Sequence, residues 1–202
     1  MDREKRIIDR YFKPLAKNKE SLNLDNDAAF FRDKKLVIST DMMIEDQHFK
    51  KDHAPELIAK KLLRINLSDL AAMGATPYGF FLNIALPKKI IHQWLTEFVK
   101  GLKTDMSLFN LKLFGGDLSN SSKIFLNATI LGKTIKKTYN KNVATENSSI
   151  YVSGKIGDAA LGFQIKNKFP YIDINISNDE RDYLINKFML PQPRIKTGKN
   201  LN

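Results

Sequence analysis

The sequence predicts an α/β protein, and three observations carry that reading. Short runs rich in β-branched and aromatic residues alternate with two long runs of helical apolar period. Gly, Pro and Asp punctuate the runs where chain direction has to change. At Ile150 the strand–turn–helix pattern begins again. Residues 1–148 therefore read as one α/β domain and 149–202 as the start of a second, because so short a remainder makes a poor core by itself.

Taken in order, Ile7, Ile8, Tyr11 and Phe12 share one face of a short amphipathic helix closed by Pro14. NLDND (23–27) is a polar turn. Ala28–Phe31 and Leu36–Thr40 are two short strands, and the second, LVIST, is expected to deliver Asp41 at its end. Glu45, Asp46, His48 and Phe49 follow. The run PELIAKKLLRINLSDLAAMG (55–74) then places Ile58, Leu62, Ile65, Asp69 and Met73 at steps of four, three, four and four, one face of a helix. A carboxylate thus occupies a position where the period asks for Leu. It needs a strong donor or a cation, since an unpaired buried charge is too costly to keep. Asn66 lies on the same face, and Gly74 and Pro77 stop the helix.

Tyr78–Leu86 is a strand stopped by Pro87. Ile91, Leu95, Phe98, Leu102 and Met106 form a second amphipathic helix. Leu111–Phe114 is a short strand expected to end at Gly115-Gly116-Asp117, and Ile124–Leu131 is a further strand before the Lys-rich loop Lys133–Lys141. In the second unit Ile150–Ser153 reads as a strand and Asp158–Ile165 as a helix. Ser177-Asn-Asp-Glu180 is a capping box opening a helix to about Met189.

Composition excludes several classes of function. The chain has 202 residues, 43% of them hydrophobic, which describes a globular protein and not a disordered one. There is no Cys, which removes disulfides, thiolate zinc sites and cysteine nucleophiles. The N-terminus MDREKRIIDRYF has no apolar core of a signal peptide, and no run reaches transmembrane length, so a cytoplasmic location without membrane attachment is expected. The net charge of +11 is spread over every segment of a Lys-, Asn-, Ile- and Phe-rich chain, as compositional bias would spread it, and no specific nucleic-acid partner is expected.

Chemistry is carried by carboxylates at changes of chain direction: Asp27 before the first strand, Asp41 and Asp117 after strands, and Asp69 on its helix. Oxygen donors converging there, with Ser39 and Thr40 beside Asp41, suit Mg²⁺. Gly115 and Gly116 allow a phosphate to approach the backbone. Gly132-Lys133-Thr134 is not a P-loop, because it follows a strand without opening a helix. No Ser/His/Asp arrangement is present, so the protein lends no nucleophile.

Ser39-Thr40-Asp41, Glu45…His48-Phe49, NLSDLAAMGATP, Gly115-Gly116-Asp117 and YVSGKIGDAALG, in this order, resemble the thiamine-monophosphate kinase family. The resemblance implies an aminoimidazole ribonucleotide synthetase-like N-terminal domain, with a mixed sheet flanked by helices that pairs into a barrel across a homodimer. It further implies ATP-dependent phosphorylation of thiamine monophosphate to thiamine diphosphate. Asp27, Ser39, Thr40, Asp41, Asp69 and Asp117 match magnesium ligands, and His48 matches a substrate contact. Phe109, Gly116, Asp117 and Lys141 match nucleotide contacts.

The chain departs from the family at four places. Gly-Asp-Asp is Asp25-Asn26-Asp27 here, a Tyr is Phe109, an Arg is Lys141, and Thr-Arg-Gly is Leu118-Ser119-Asn120. The family's later Asp-Ile-Ser-Asp-Gly motif is not present, so the second domain is expected to be truncated. A non-catalytic dimerising fragment, or another ATP-dependent synthetase of the superfamily, is the alternative.

Overall fold

The computed structural model describes residues 3–90, 92–134, 138, 139, 141, 144–167 and 176–201. Ile91, parts of the Lys-rich loop and the stretch 168–175 lie outside the described residues. The N-terminal helix α1 (Arg3–Ile7) continues as a π-helical turn to Phe12. The main sheet contains β1 (Ala29–Phe31), β2 (Leu36–Ile44), β3 (Thr76–Leu86), β4 (Lys112–Asn120) and β5 (Phe125–Lys133) in the order β1-β2-β5-β3-β4. All neighbours are antiparallel except β3 and β4. That parallel pair requires a long crossover, which α3 (His92–Phe109) supplies. The sheet is therefore mixed.

Two strands run further than their sequences announce. Asp41 sits inside β2, not at its end, because Met42–Ile44 continue the ladder against Phe125–Asn127. Gly115, Gly116 and Asp117 likewise lie inside β4. A Cβ at Gly116 would lie 1.7 Å from the Leu82 carbonyl oxygen, so glycine here is what lets β4 approach β3. The strand expected at Ile150–Ser153 does not form. Ile150 and Tyr151 are more than 90% exposed and nothing pairs with them among the described residues. A run of β-branched and aromatic residues is a strand only beside another strand.

The helix α2 (Pro55–Ala72) covers one sheet face. Ile58, Ala59, Leu62, Leu63, Leu67 and Leu70 bury against Val37, Met43, Phe80, Leu126 and Ile130. The helix ends at Gly74 in a left-handed conformation (φ 66°). Gly74 N–H bonds the Ala71 carbonyl at 3.0 Å and Ala75 N–H that of Leu70 at 2.8 Å, a Schellman closure. The helix α3 packs on α2, and a buried bidentate pair joins them: Arg64 Nε and Nη2 donate to Asp105 Oδ2 and Oδ1 at 2.6 and 3.0 Å.

Downstream lie α4 (Asp158–Lys166), α5 (Asn178–Met189) and the short α6 (Ile195–Asn200), of which the last was not read from the sequence. The capping box forms as expected: Glu180 N–H donates to Ser177 Oγ at 3.3 Å and Ser177 N–H to Glu180 Oε2 at 2.9 Å. Both α5 and α6 pack on α2.

Asp105→Ala leaves the Arg64 guanidinium buried without its partner. It should lower unfolding free energy by about 3–5 kcal/mol in urea titration, and the apolar double replacement Arg64→Met/Asp105→Leu should recover most of that loss.

Candidate functional site

Three of the acidic residues, Asp27, Asp41 and Asp69, lie around the junction of β1, β2 and α2, near enough for the charges of the first two to act on the third. Ser39 and Asp41 lie on the helix-covered side of β2, and Asp69 stands one turn before the end of α2. Ser39 Oγ donates to Asp69 Oδ2 at 2.6 Å and is 3.2 Å from the Asp27 carbonyl, so one hydroxyl ties the turn before β1 to the helix. Asn66, fully buried, accepts the Asp41 backbone N–H on Oδ1 at 3.0 Å and donates Nδ2 to the Leu62 carbonyl at 2.9 Å. Its amide is a bracket for β2 rather than a further ligand.

The charges of this group work against one another. Burial pushes the Asp69 carboxyl up to about 6; the charges of Asp41 and Asp27 push the same way, while Ser39 and Lys141 pull it down. Burial also raises the Asp41 carboxyl. The Lys141 ammonium pairs with Asp27 Oδ1, and its backbone N–H donates to Asn26 Oδ1 at 3.0 Å. Asn26 Nδ2 is buried without a hydrogen-bond partner. Partly buried acids this close call for a cation, and one ammonium supplies it only in part. Among the described residues, no three His, Asp or Glu side chains are yet gathered as a metal cluster.

The other candidates stand elsewhere. Thr40 points to the opposite face of the sheet, where its hydroxyl lies 3.1 Å from that of Thr129. Asp117 is paired across β3–β4 with Asn83, which bonds Asn127, which in turn bonds Thr40. Directly paired residues share a face, so Asp117 belongs to this open face, three strands from β2 and roughly 14 Å away along the sheet. Ser119 Oγ donates to it at 2.9 Å. Phe109, at the end of α3, lies under the Arg64 guanidinium at 5.6 Å.

His48 is exposed on the turn after β2. Its Nδ1 accepts the Ile44 N–H at 2.9 Å, so the neutral ring carries its proton on Nε2 and presents a donor. Sequence reasoning missed two supports of this turn. Glu45 is 1% exposed, and its Oε2 accepts the Ile124 N–H at 2.9 Å. Lys61 donates to the His48 carbonyl at 3.4 Å. The polar row Thr129, Asn127 and Asn83 was also missed, although Asn and Thr alternating with Leu126, Ala128 and Ile130 marked it.

Because the Asp69 carboxyl is raised in the folded chain, it contributes stability below about pH 4 that is lost as pH rises through about 6. Asp69→Asn removes that slope. Without metal, the variant should match or exceed the parent at pH 7, by up to roughly 1–2 kcal/mol after solvent screening, in urea melts run from pH 4 to pH 8.

Residues 25–134 match the family "AIR synthase related protein, N-terminal domain". The chain is 34% identical over 199 residues to the thiamine-monophosphate kinase of Buchnera aphidicola subsp. Schizaphis graminum, covering 95% of this chain and 60% of that protein. Among solved structures, the thiamine-monophosphate kinase from Stenotrophomonas maltophilia is similar with a TM-score of 0.74 and 27% identity over 96% of this chain and 63% of that one. AaThiL complexed with AMPPCP and TMP superposes with a TM-score of 0.85 at 24% identity, covering 100% and 64%, and at that identity it shows the fold. The chain spans about 60% of the length of the curated relatives it matches. With more than half of its residues inside the matching segment, the chain belongs to the AIR synthase related protein family.

Proposed function

We propose that this chain carries the N-terminal half-site of a thiamine-monophosphate kinase, which transfers the γ-phosphoryl group of ATP to thiamine monophosphate and forms thiamine diphosphate. The observation that carries the reading is the group Asp27, Asp41 and Asp69, with the Asp69 carboxyl raised to about 6. The kinases of similar sequence and the AMPPCP and TMP complex of AaThiL support it.

The chemistry suits the residues. A phosphate monoester loses its second proton near pH 6, so at neutral pH the acceptor is already an anionic nucleophile and needs no base. Positioning and charge neutralisation remain to be supplied. Asp27, Asp41 and Asp69, with the Ser39 hydroxyl, would hold Mg²⁺, which when bound would offset the charge gathered on the phosphates; the Thr40 hydroxyl, on the opposite face, would not reach that ion. Lys141 would exchange its grip on Asp27 for the nucleotide. His48, through Nε2–H, would donate to an oxygen of the ester, and having no free ring lone pair it would not act as a base.

Asp117 stands apart from that ion. Ligands of a single Mg²⁺ stand within about 4 Å of one another, set by metal–oxygen distances near 2.1 Å. On its own chain Asp117 is far outside that range of Asp41. The open face carrying Asp117 also exposes Met42 and Phe81 beside the Thr40–Asn127–Asn83 row, and a second copy covering it would form the homodimer. Asp117 would then lie in that interface on the same face as Thr40, across the sheet from the Asp27, Asp41 and Asp69 group. Residues 149–202 would begin a second domain, and the protein would act in the cytoplasm without a membrane or nucleic-acid partner. No described helix is long and apolar enough to cross a membrane. A non-catalytic dimerising module is the competing reading, and the apolar residues Met42 and Phe81 exposed on the open face are what favour it.

Millimolar Mg²⁺ with a non-hydrolysable ATP analogue should raise the melting temperature, and Asp69→Asn should abolish the rise. Absence of any shift in the parent would favour the module. In sedimentation the chain should dimerise with concentration.

A further inference from the structure

Lys61, on the outer side of α2, is a cation held at a cost. Among the described residues no carboxylate pairs with it, whereas its neighbour Lys60 is paired with Glu56. Burial pushes the Lys61 ammonium down to about 8. A charge retained there without an ionic partner has to be held by its other contacts.

Its two contacts show where it acts. Nζ lies 3.4 Å from the His48 carbonyl oxygen and 3.6 Å from the centre of the Phe188 ring on α5. Phe188 in turn stands edge-on to His53 at 6.1 Å and to Phe163 of α4 at 5.2 Å. Lys166 of α4 reaches Asp52 at 3.8 Å. The loop between β2 and α2 is thus seated on the α4–α5 hairpin, and Lys61 is the group common to the hairpin and the His48 turn. The turn is already closed on its other side, by His48 N–H to the Ile44 carbonyl at 2.9 Å and Asp46 N–H to the Phe49 carbonyl at 2.8 Å. Glu45 against Ile124 and Asp46 against Lys123 hold the turn to the sheet; the His48 carbonyl is the point at which α2 and the α4–α5 hairpin reach it.

We propose that Lys61 is a positioning residue for His48, its ammonium clamped between the His48 carbonyl and the Phe188 ring so that the α4–α5 hairpin fixes the imidazole's aim. The inference rests on the reading that His48 meets the phosphate ester. Its effect falls on that ester and not on the nucleotide, since Lys61 touches neither Asp69 nor Asp41. Arg would serve in place of Lys, as a cation that both stacks on a ring and donates to a carbonyl. Met would keep the stem and lose both contacts.

The test is nuclear magnetic resonance and hydrogen exchange on the full chain. Lys61→Met should move the His48 ring resonances and speed amide exchange at His48 and Phe49 by roughly tenfold, the loss of one charge-assisted hydrogen bond. Lys61→Arg should stay close to the parent, and Phe188→Leu should move the same resonances in the same direction as Lys61→Met. Titrated with thiamine monophosphate, Lys61→Met should bind roughly tenfold more weakly while its magnesium-nucleotide stabilisation is retained. Unchanged His48 signals in Lys61→Met, or equal disturbance by Arg and Met, would overturn the proposal. If Lys61→Met does not fold, Phe188→Leu against Lys61→Arg decides by the same signals. Failure of the kinase reading registers separately, as absent magnesium-nucleotide stabilisation in the parent, and leaves the comparison of His48 signals standing.

Discussion

The side-chain amide of Asn66 joins the two elements on which the site depends. Buried, with one end on the Leu62 carbonyl of its own helix and the other on the Asp41 backbone N–H, it fixes the height of α2 against β2. Asp69 follows three residues later on the same helix, and Ser39 precedes Asp41 by two on the same strand, so that one bracket sets both sides of the Ser39–Asp69 hydrogen bond. An amide can do this because it offers a donor and an acceptor at once. An apolar residue there would leave the Asp41 N–H without its acceptor, and a carboxylate would add a further negative charge beside Asp41 and Asp69.

Around that bracket, α2 is the element everything else is fitted to. Its apolar side makes the core with the sheet, its Arg64 is locked to Asp105 of α3, and Lys61 and Arg64 both extend to the downstream segment, Lys61 to Phe188 and Arg64 to the Pro191 carbonyl at 3.4 Å. The Arg64–Asp105 pair contributes specificity of docking more than net stability, since two desolvated charges return little beyond what their burial costs. The result is a helix whose position is specified on several sides, which suits an element that carries an uncompensated carboxylate at its end.

Electrostatically the molecule is divided. The chain as a whole is basic, yet acids are concentrated at the β1–β2–α2 junction, where burial raises Asp41, and burial together with the charges of Asp41 and Asp27 raises Asp69. Lys141 pairs with Asp27 and offsets the Asp69 charge only in part. A basic exterior attracts phosphates, and an acidic interior pocket gives a divalent cation the place that those phosphates lack; the two tendencies cooperate only if metal and anion arrive together.

The sequence by itself determined the elements and the family. Period and punctuation gave α2, α3, β3 and β5 close to their observed bounds, and the Ser177–Glu180 capping box was legible because it is local chemistry within four residues. NLSDLAAMGATP with its companions named the kinase family that the related sequences share. What the sequence did not decide depends on neighbours. β2 and β4 continue through Asp41 and Gly115–Asp117 because β5 and β3 pair with them, and Ile150–Ser153 is not a strand because nothing pairs with it. The grouping of carboxylates was only partly visible, since strand order separates Asp117 from Asp41 by three strands, and a two-residue period turns Thr40 away from Ser39 and Asp41. Lys61 carried no signal at all, because its partners, the His48 carbonyl and Phe188, are brought to it from distant parts of the chain. Local propensity and spacing are properties of the chain; strand order, facing and the desolvation of a charge are properties of its packing.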